Sequence, residues 1–255
     1  MIKTMTFSEN IHTAIWGCES WEISAHSSSP SVIAYGEYAG KTLSEVMPDF
    51  PLLMKVIDAK TRLSVQVHPS ERTAPITGGE PKTEMWCALS DGSIYAGLKK
   101  GVSSDDVRKA VESGDFESLL VRHQIKKYDT FYIPGGLVHA IGDDVKLYEV
   151  QQSSNTTYRL YDWGRVGPDG KARELHIDES LKSIDFSLPV PEPAKSVQCP
   201  FFNFRMEDVT SPKTFSAVGE KFVALYIVES GKSVLLTKNE TYTVTVPGKV
   251  FVTTL

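Results

Sequence analysis

Two side chains in the run Leu63-Ser64-Val65-Gln66-Val67-His68-Pro69 offer a metal-binding pair. Gln66 has a carbonyl oxygen and His68 an imidazole nitrogen. Strand side chains alternate between two faces, so Leu63, Val65 and Val67 share one and Ser64, Gln66 and His68 the other. An ordinary half-buried strand turns its polar face to water, where Ser, Gln and Lys serve equally well. Gln and His two residues apart suit a metal on the inside of a β-barrel. A solvated face with a chance histidine explains this strand equally well, and the rest of the chain decides between the two.

The same kind of pattern recurs. Lys82 and Glu84 share a face at the start of the next strand, and His139 follows the Pro134-Gly135-Gly136 turn. Glu149 and Gln151 share a face, and Thr157, Arg159 and Tyr161 share another. Gln66, His68, Glu84 and His139 form a two-nitrogen, two-oxygen set that zinc accepts, with water or substrate oxygens completing the shell. A single carboxylate leaves a divalent ion net positive, which suits it to polarising a carbonyl. Ligand softness alone also admits iron, cobalt or manganese.

Many short elements must position these residues. Ser27-Ser28-Ser29-Pro30-Ser31 reads as a loop, and Val32 to Tyr38 as a short β-rich stretch. Thr42 to Met47 predicts a turn or two of helix, capped by Thr42 with Glu45 three residues on. Pro51 to Asp58 is apolar, helix or strand, and Pro69 to Pro81 is a loop. Glu84 to Leu89 and Ser93 to Leu98 read as strands around an Asp91-Gly92 turn. Ser103 to Val121 is the best helical stretch, with Ser104 as cap and a break at Gly114. Asp129 to Pro134, Val145 to Gln151 and Thr156 to Trp163 read as strands, and Gly164 to Gly170 as a loop. Leu188-Pro189-Val190-Pro191-Glu192-Pro193 has the composition of a linker. Beyond it, strands are expected near 201–207, 221–229, 232–237, 241–246 and 249–254. Short strands at short intervals mean a mainly β sandwich or barrel. The expected domains are 1–188, with a small helical segment near 101–122, and a C-terminal β domain over 189–255.

Bulk properties narrow the function class. A chain of 255 residues suffices for one large β domain or two small ones. The net charge of −5 leaves no basic footprint, which argues against nucleic acid. No apolar run reaches the length of a membrane span. Met1-Ile2-Lys3-Thr4-Met5 has no apolar h-region, so no secretory signal is expected. The odd, widely spaced Cys18, Cys87 and Cys199 predict reduced thiols in a cytoplasmic protein. A monomer or weak homodimer is expected.

Five stretches occur in order with fitting spacing: Ser64-Val65-Gln66-Val67-His68-Pro69, Lys82-Thr83-Glu84-Met85-Trp86, Ile133-Pro134-Gly135-Gly136-Leu137-Val138-His139-Ala140, Glu149-Val150-Gln151-Gln152-Ser153-Ser154 and Thr157-Tyr158-Arg159-Leu160-Tyr161-Asp162-Trp163. Arg173-Glu174-Leu175-His176 follows. Together they closely resemble type I phosphomannose isomerases (mannose-6-phosphate isomerases) of the short bacterial type, in register from about Trp16 to His176. The resemblance implies a cupin (jelly-roll or β-barrel) domain with a small helical segment and a second, shortened cupin-like β domain. It implies a zinc enzyme that interconverts mannose 6-phosphate and fructose 6-phosphate through a cis-enediol. It assigns one Zn2+ to Gln66, His68, Glu84 and His139, and makes Arg159 the catalytic arginine. Glu149, Lys82 and Ser64 match other active-site positions, and Arg165 falls near the phosphate, with Lys146 and Arg173 as competitors. Glu149 is the expected proton carrier, because burial and nearby charge tune a carboxylate facing a metal cavity.

Two features depart from the family. Tyr128 stands where a glycine usually precedes the Asp-Thr of the second cupin motif, and the helical and C-terminal parts are short. A non-catalytic cupin that senses a sugar phosphate is the competing class, and a metal-dependent oxygenase a third. The glutamine in the ligand set, with Arg159 and Glu149 present, speaks against the oxygenase. Trp16, Trp21, Trp86 and Trp163 read as core, and His176 has no assigned chemistry.

Overall fold

The structure, a computed structural model, describes residues 4–167 and 170–255. Residues 1–3, where the N-terminal reading begins, and 168 and 169, inside the loop read over Gly164 to Gly170, lie outside the described residues. The chain divides into two compact units. One takes Met1–Ile11, Ser20–Lys55 and Ala194–Leu255, and the other takes His12–Glu19 and Val56–Pro193.

The second of these carries every residue singled out above for chemistry. It draws on a six-stranded sheet ordered Thr130–Ile133, Glu84–Ala88, Val145–Gln152, Leu52–Ala59, Gly17–Ser24 and Ile11–Ala14. It also holds a five-stranded sheet ordered Tyr158–Tyr161, Val65–Val67, His139–Ile141, Gly92–Leu98 and Leu120–Ile125. Trp86, Ala88, Phe131, Ile133 and Leu147 of the first sheet pack in one buried cluster with Ile94, Ala96, Ile125 and Ile141 of the second. One step along the second sheet, Val65, Val67, Tyr95, Val138, Ala140 and Tyr158 join another cluster, with Val107 and Ala110 of the Ser104–Ser113 helix. Period-2 alternation therefore sorts the second sheet into a face toward the first sheet and a face under a helix. Gln66 and His139 fall on the first of these faces. This is the mainly β, jelly-roll architecture expected from the sequence.

Two local departures matter for the site. The Val65–Val67 strand is only three residues long. Leu63 precedes it and packs with Trp86 and Ile141, whereas Val65 and Val67 pack in the helix-side cluster. The expected common face of Leu63, Val65 and Val67 therefore breaks at Ser64. The Tyr158–Tyr161 strand carries a bulge: Arg159 lies opposite Gln66 but Tyr161 lies opposite Val65. The extra residue turns Tyr161 to the helix side, where it stacks on Phe116. Arg159 and Tyr161 thus do not share the face that regular alternation predicts.

The helical part differs as well. The helix runs Ser104–Ser113 and is capped by Ser103, not Ser104. Asp106 stands three residues after Ser103 and closes a capping box: its amide donates to Ser103 Oγ (3.3 Å) and its carboxylate accepts from the Ser103 amide (2.9 Å). Ser104 has Val107 at that offset and cannot close the box. Gly114 ends the helix in the left-handed region at φ 75°. A 3-10 turn at Glu117–Leu119 and the strand Leu120–Ile125 occupy the rest of the stretch read as helical. The loop after Pro69 contains one helical turn, Ala74–Thr77, and a helix not read from the sequence spans Ile177–Ser183.

The other unit has a seven-stranded sheet ordered Ser196–Gln198, Asn203–Val209, Gly248–Thr254, Phe222–Ile227, Lys232–Thr237, Met5–Phe7 and Ile33–Tyr35. A two-stranded sheet pairs Lys213–Ser216 with Thr241–Val244. This unit is wider than the segment 189–255 because Met5–Phe7 pairs with Lys232–Thr237 on one side and Ile33–Tyr35 on the other. N-terminal strands thus satisfy backbone groups that the C-terminal strands would leave open. Among the described residues, no helix is long and apolar enough to cross a membrane.

The capping box yields a simple expectation. Ser103→Ala lowers unfolding free energy by about 1 kcal/mol in urea denaturation, with any activity left intact. A change below a few tenths of a kcal/mol would show that packing of Val107 and Ala110 holds the helix without its cap.

Candidate metal centre and active site

The residues Gln66 and His139 face each other across adjacent antiparallel strands. His68 lies one residue past the Val65–Val67 strand, on the side of Gln66. Glu84 opens its strand on the other sheet, opposite Gln151 and Ile133. These elements bring His68, Glu84 and His139 together, with one ligand atom from each lying within 4.8 Å of the others. His68 Nε2 and His139 Nε2 are 3.2 Å apart. Glu84 approaches them through Oε2 at 3.4 Å from His68 and Oε1 at 3.5 Å from His139.

Both imidazoles are held from behind. His68 Nδ1 is 2.9 Å from the Thr156 carbonyl and His139 Nδ1 is 2.8 Å from that of Leu137. A carbonyl only accepts, so each Nδ1 carries the proton and each Nε2 turns a lone pair inward. Burial, and then the Lys82 charge, pushes the His68 pKa down to about 3. Burial lowers His139 too. Both rings are therefore neutral, the state that binds metals.

A divalent cation fits this donor set on the residues' own account. Two lone pairs point at each other across 3.2 Å with no proton between them. Both oxygens of the fully buried Glu84 lack a hydrogen bond of good geometry. Gln66 sits 3.3 Å from His139 Nε2 through its amide nitrogen, and half a turn of the amide presents its oxygen instead.

Lys82 and Glu149 flank the trio. Lys82 Nζ lies 2.8 Å from Glu84 Oε2, 3.1 Å from His68 Nε2 and 3.9 Å from Glu149 Oε1. Burial works against charge on Lys82, yet Glu84 and Glu149 outweigh it and raise its pKa. Burial likewise pushes Glu84 up, and the Lys82 ammonium overrides that and holds it well below the usual carboxylate range. The pair therefore stays ionised. Glu149 lies opposite Trp86, whose indole N–H donates to Glu149 Oε2 at 2.9 Å. Gln151, on the same face, spends its amide N–H groups on the carbonyls of Gln152 and Ser154.

Arg159 extends the row. It lies opposite Gln66, which lies opposite His139, so the three stand side by side at about 5 Å per strand. Its Nε donates to Ser64 Oγ (3.3 Å) and its Nη1 to the Glu174 carbonyl (2.7 Å). Burial, then the nearby Arg173 charge, lowers its pKa, and a guanidinium remains charged all the same.

Residues 8–85 match the family described as phosphomannose isomerase type I, catalytic domain. The mannose-6-phosphate isomerase ManA of Bacillus subtilis is 40% identical over 189 residues, covering 67% of this chain and 60% of that protein. The mannose-6-phosphate isomerase of Streptococcus mutans is 34% identical over 221 residues, covering 74% of this chain and 70% of that protein. The chain belongs to the type I phosphomannose isomerase family. The crystal structure of the mannose 6-phosphate isomerase from Bacillus subtilis superposes with a TM-score of 0.85 at 25% identity, covering 100% of both chains.

Against that phosphomannose isomerase frame, Arg165 stands apart. Among the described residues it makes no hydrogen bond or ion pair with His68, Glu84 or His139. Its Nη2 donates to the Arg62 carbonyl, and its buried Nη1 has no hydrogen-bond partner among the described residues. Arg173, a competitor for the same role, is engaged by Asp162 through two bonds of 2.8 and 2.6 Å. Tyr128, at the family's glycine position, adopts φ 77°, the left-handed conformation that glycine takes without strain. Sequence reasoning missed Trp86 as a partner of Glu149, although it shares Glu84's strand face at a spacing of two. It also left His176 without a task; the His176 ring accepts from the Arg159 amide at 3.2 Å.

The turn before His139 also seats His68. The Gly136 amide donates to the His68 carbonyl at 2.8 Å. A Cβ on Gly135 would lie 2.8 Å from the Pro69 carbonyl oxygen and the Ser70 Cα, both backbone atoms. Gly135→Ala should therefore displace the chain beyond His68 and weaken metal binding about tenfold or more in a chelator competition. Unchanged affinity would show that His68 is held by its Thr156 contact alone.

Proposed function

We propose that the protein is a metal-dependent aldose–ketose isomerase that interconverts mannose 6-phosphate and fructose 6-phosphate through a cis-enediol. The observation that carries this is the closed, buried group of His68, Glu84, His139, Lys82 and Glu149 in a chain of the phosphomannose isomerase family. The metal is taken to be zinc, with His68, Glu84, His139 and the amide oxygen of Gln66 as its ligands. When bound, zinc supplies fixed positive charge that lowers the cost of negative charge on a sugar oxygen.

The chain's own residues supply the rest. Glu149 takes the proton from C2 of the aldose and returns it to C1, while the O2 hydroxyl gives up its proton and O1 gains one, which yields the ketose. Trp86 holds Oε2, which leaves Oε1 on the Lys82 side of the carboxylate. Lys82, charged and buried, donates to a substrate oxygen. Arg159, half-buried and braced by Ser64, faces the oxyanion of the enediolate. Arg165 takes the phosphate through the Nη1 that has no partner among the described residues. The substrate is a small sugar phosphate, and the free Cys18, Cys87 and Cys199 support a cytoplasmic setting.

A coupled isomerase assay tests this reading. Protein stripped of metal should be inactive with mannose 6-phosphate and regain turnover with zinc, and Glu84→Ala should not regain it. Silence of the zinc-loaded protein, with sugar phosphate still bound tightly, would point to a sensor. Separately, Glu149→Gln should lower kcat by about a hundredfold or more while the metal is retained. Intact turnover in that variant would remove Glu149 from proton transfer.

A further inference from the structure

We propose that His176 is a positioning residue for Arg159, its imidazole completing the hydrogen bonding of the strand edge that carries the guanidinium. The proposal rests on Arg159 acting on the substrate as described above.

The strand Tyr158–Tyr161 is the edge of its sheet, with Val65–Val67 as its one neighbour. An edge strand has a row of outward N–H and C=O groups without ladder partners. At Arg159 both outward groups go to one residue. The Arg159 amide donates to His176 Nδ1 (3.2 Å), and the His176 amide donates to the Arg159 carbonyl (2.8 Å). The Arg159 side chain reaches the same segment, donating from Nη1 to the Glu174 carbonyl at 2.7 Å. Residues 174–176 thus clasp Arg159 at three points, and the imidazole replaces the backbone carbonyl that a next strand would offer.

His176 is itself anchored. Its carbonyl accepts from the Ser180 amide (2.9 Å) in the first turn of the Ile177–Ser183 helix, and its ring lies 6.1 Å from that of Tyr158. The clasp sits where it is most needed. Beyond Arg159 the bulge interrupts the ladder, so regular pairing with Val65–Val67 does not continue through Tyr161. A bulge left unbraced gives the side chain before it latitude in direction, and a shift near 1 Å at a reacting centre costs about a hundredfold in rate.

The test uses the zinc-loaded full chain. His176→Ala should lower kcat for mannose 6-phosphate by about tenfold to a hundredfold, with KM moving less than about threefold. His176→Asn places an amide oxygen close to where Nδ1 stands and should recover most of the lost turnover. His176→Gln carries that oxygen one bond too far and should behave like Ala, and it serves if the Ala variant does not fold. On an Arg159→Ala background, His176→Ala should add no further loss. An equal added loss there, or wild-type kcat in His176→Ala, overturns the proposal. Hydrogen exchange at the Arg159 amide reads the clasp without any activity. Faster exchange in His176→Ala is expected, and exchange equal to wild type overturns the clasp even if isomerase activity is absent throughout.

Discussion

An ionised carboxylate with no exposed surface is the group this fold is least able to leave alone, and Glu84 is such a group. Its neighbours are arranged around that fact. Lys82 supplies a cation at 2.8 Å, itself buried and dependent on Glu84 and Glu149 for its charge. The two neutral imidazoles add lone pairs rather than protons, which deepens the local need for positive charge. Loss of one partner from such a set strands the others, at about 3–5 kcal/mol for a buried pair. A cation-binding centre is the arrangement in which each of these groups is satisfied together.

The surrounding sheets explain how such a set is held rigid. Each imidazole is fixed by a carbonyl from a different segment, Thr156 for His68 and Leu137 for His139. Strand pairing fixes the positions: Gln66 between His139 and Arg159 on one sheet, and Trp86 beside Glu149 on the other. Below the polar end, Trp86, Ala88, Leu147 and Ile141 close the core. Glu84, His139 and Glu149 therefore stand on paired strands, with apolar packing behind them.

Much of this was legible in the sequence, because alternation on strands is a local property. The spacing of two between Gln66 and His68, and between Lys82 and Glu84, sufficed to place each pair on one face. Thr42 with Glu45 announced a capping box, and the structure has it. What escaped was set by distant partners. The bulge at Leu160 has no signature in Tyr158-Arg159-Leu160-Tyr161, since it arises from how that strand meets Val65–Val67. The Ile177–Ser183 helix is too short for its periodicity to register, although Asp178 and Glu179 in its first turn and Lys182 in its last suit the helix dipole. The pairing of Met5–Phe7 with Lys232–Thr237 joins the two ends of the chain, which no window along the sequence reveals.

The bulge also acts as a phase boundary in the chain. Before it, side-chain direction is locked to the sheet that holds Gln66; after it, the count restarts for Tyr161, Asp162 and the segment tied back by Arg173. The two stretches therefore follow separate alternations that meet at the one extra residue. They remain tied to each other, because Glu174 and His176 lie beyond the boundary and return to bond Arg159. Straightening the strand with that residue kept would bring both stretches into one register and swing Tyr161 across to the side of Gln66 and His139.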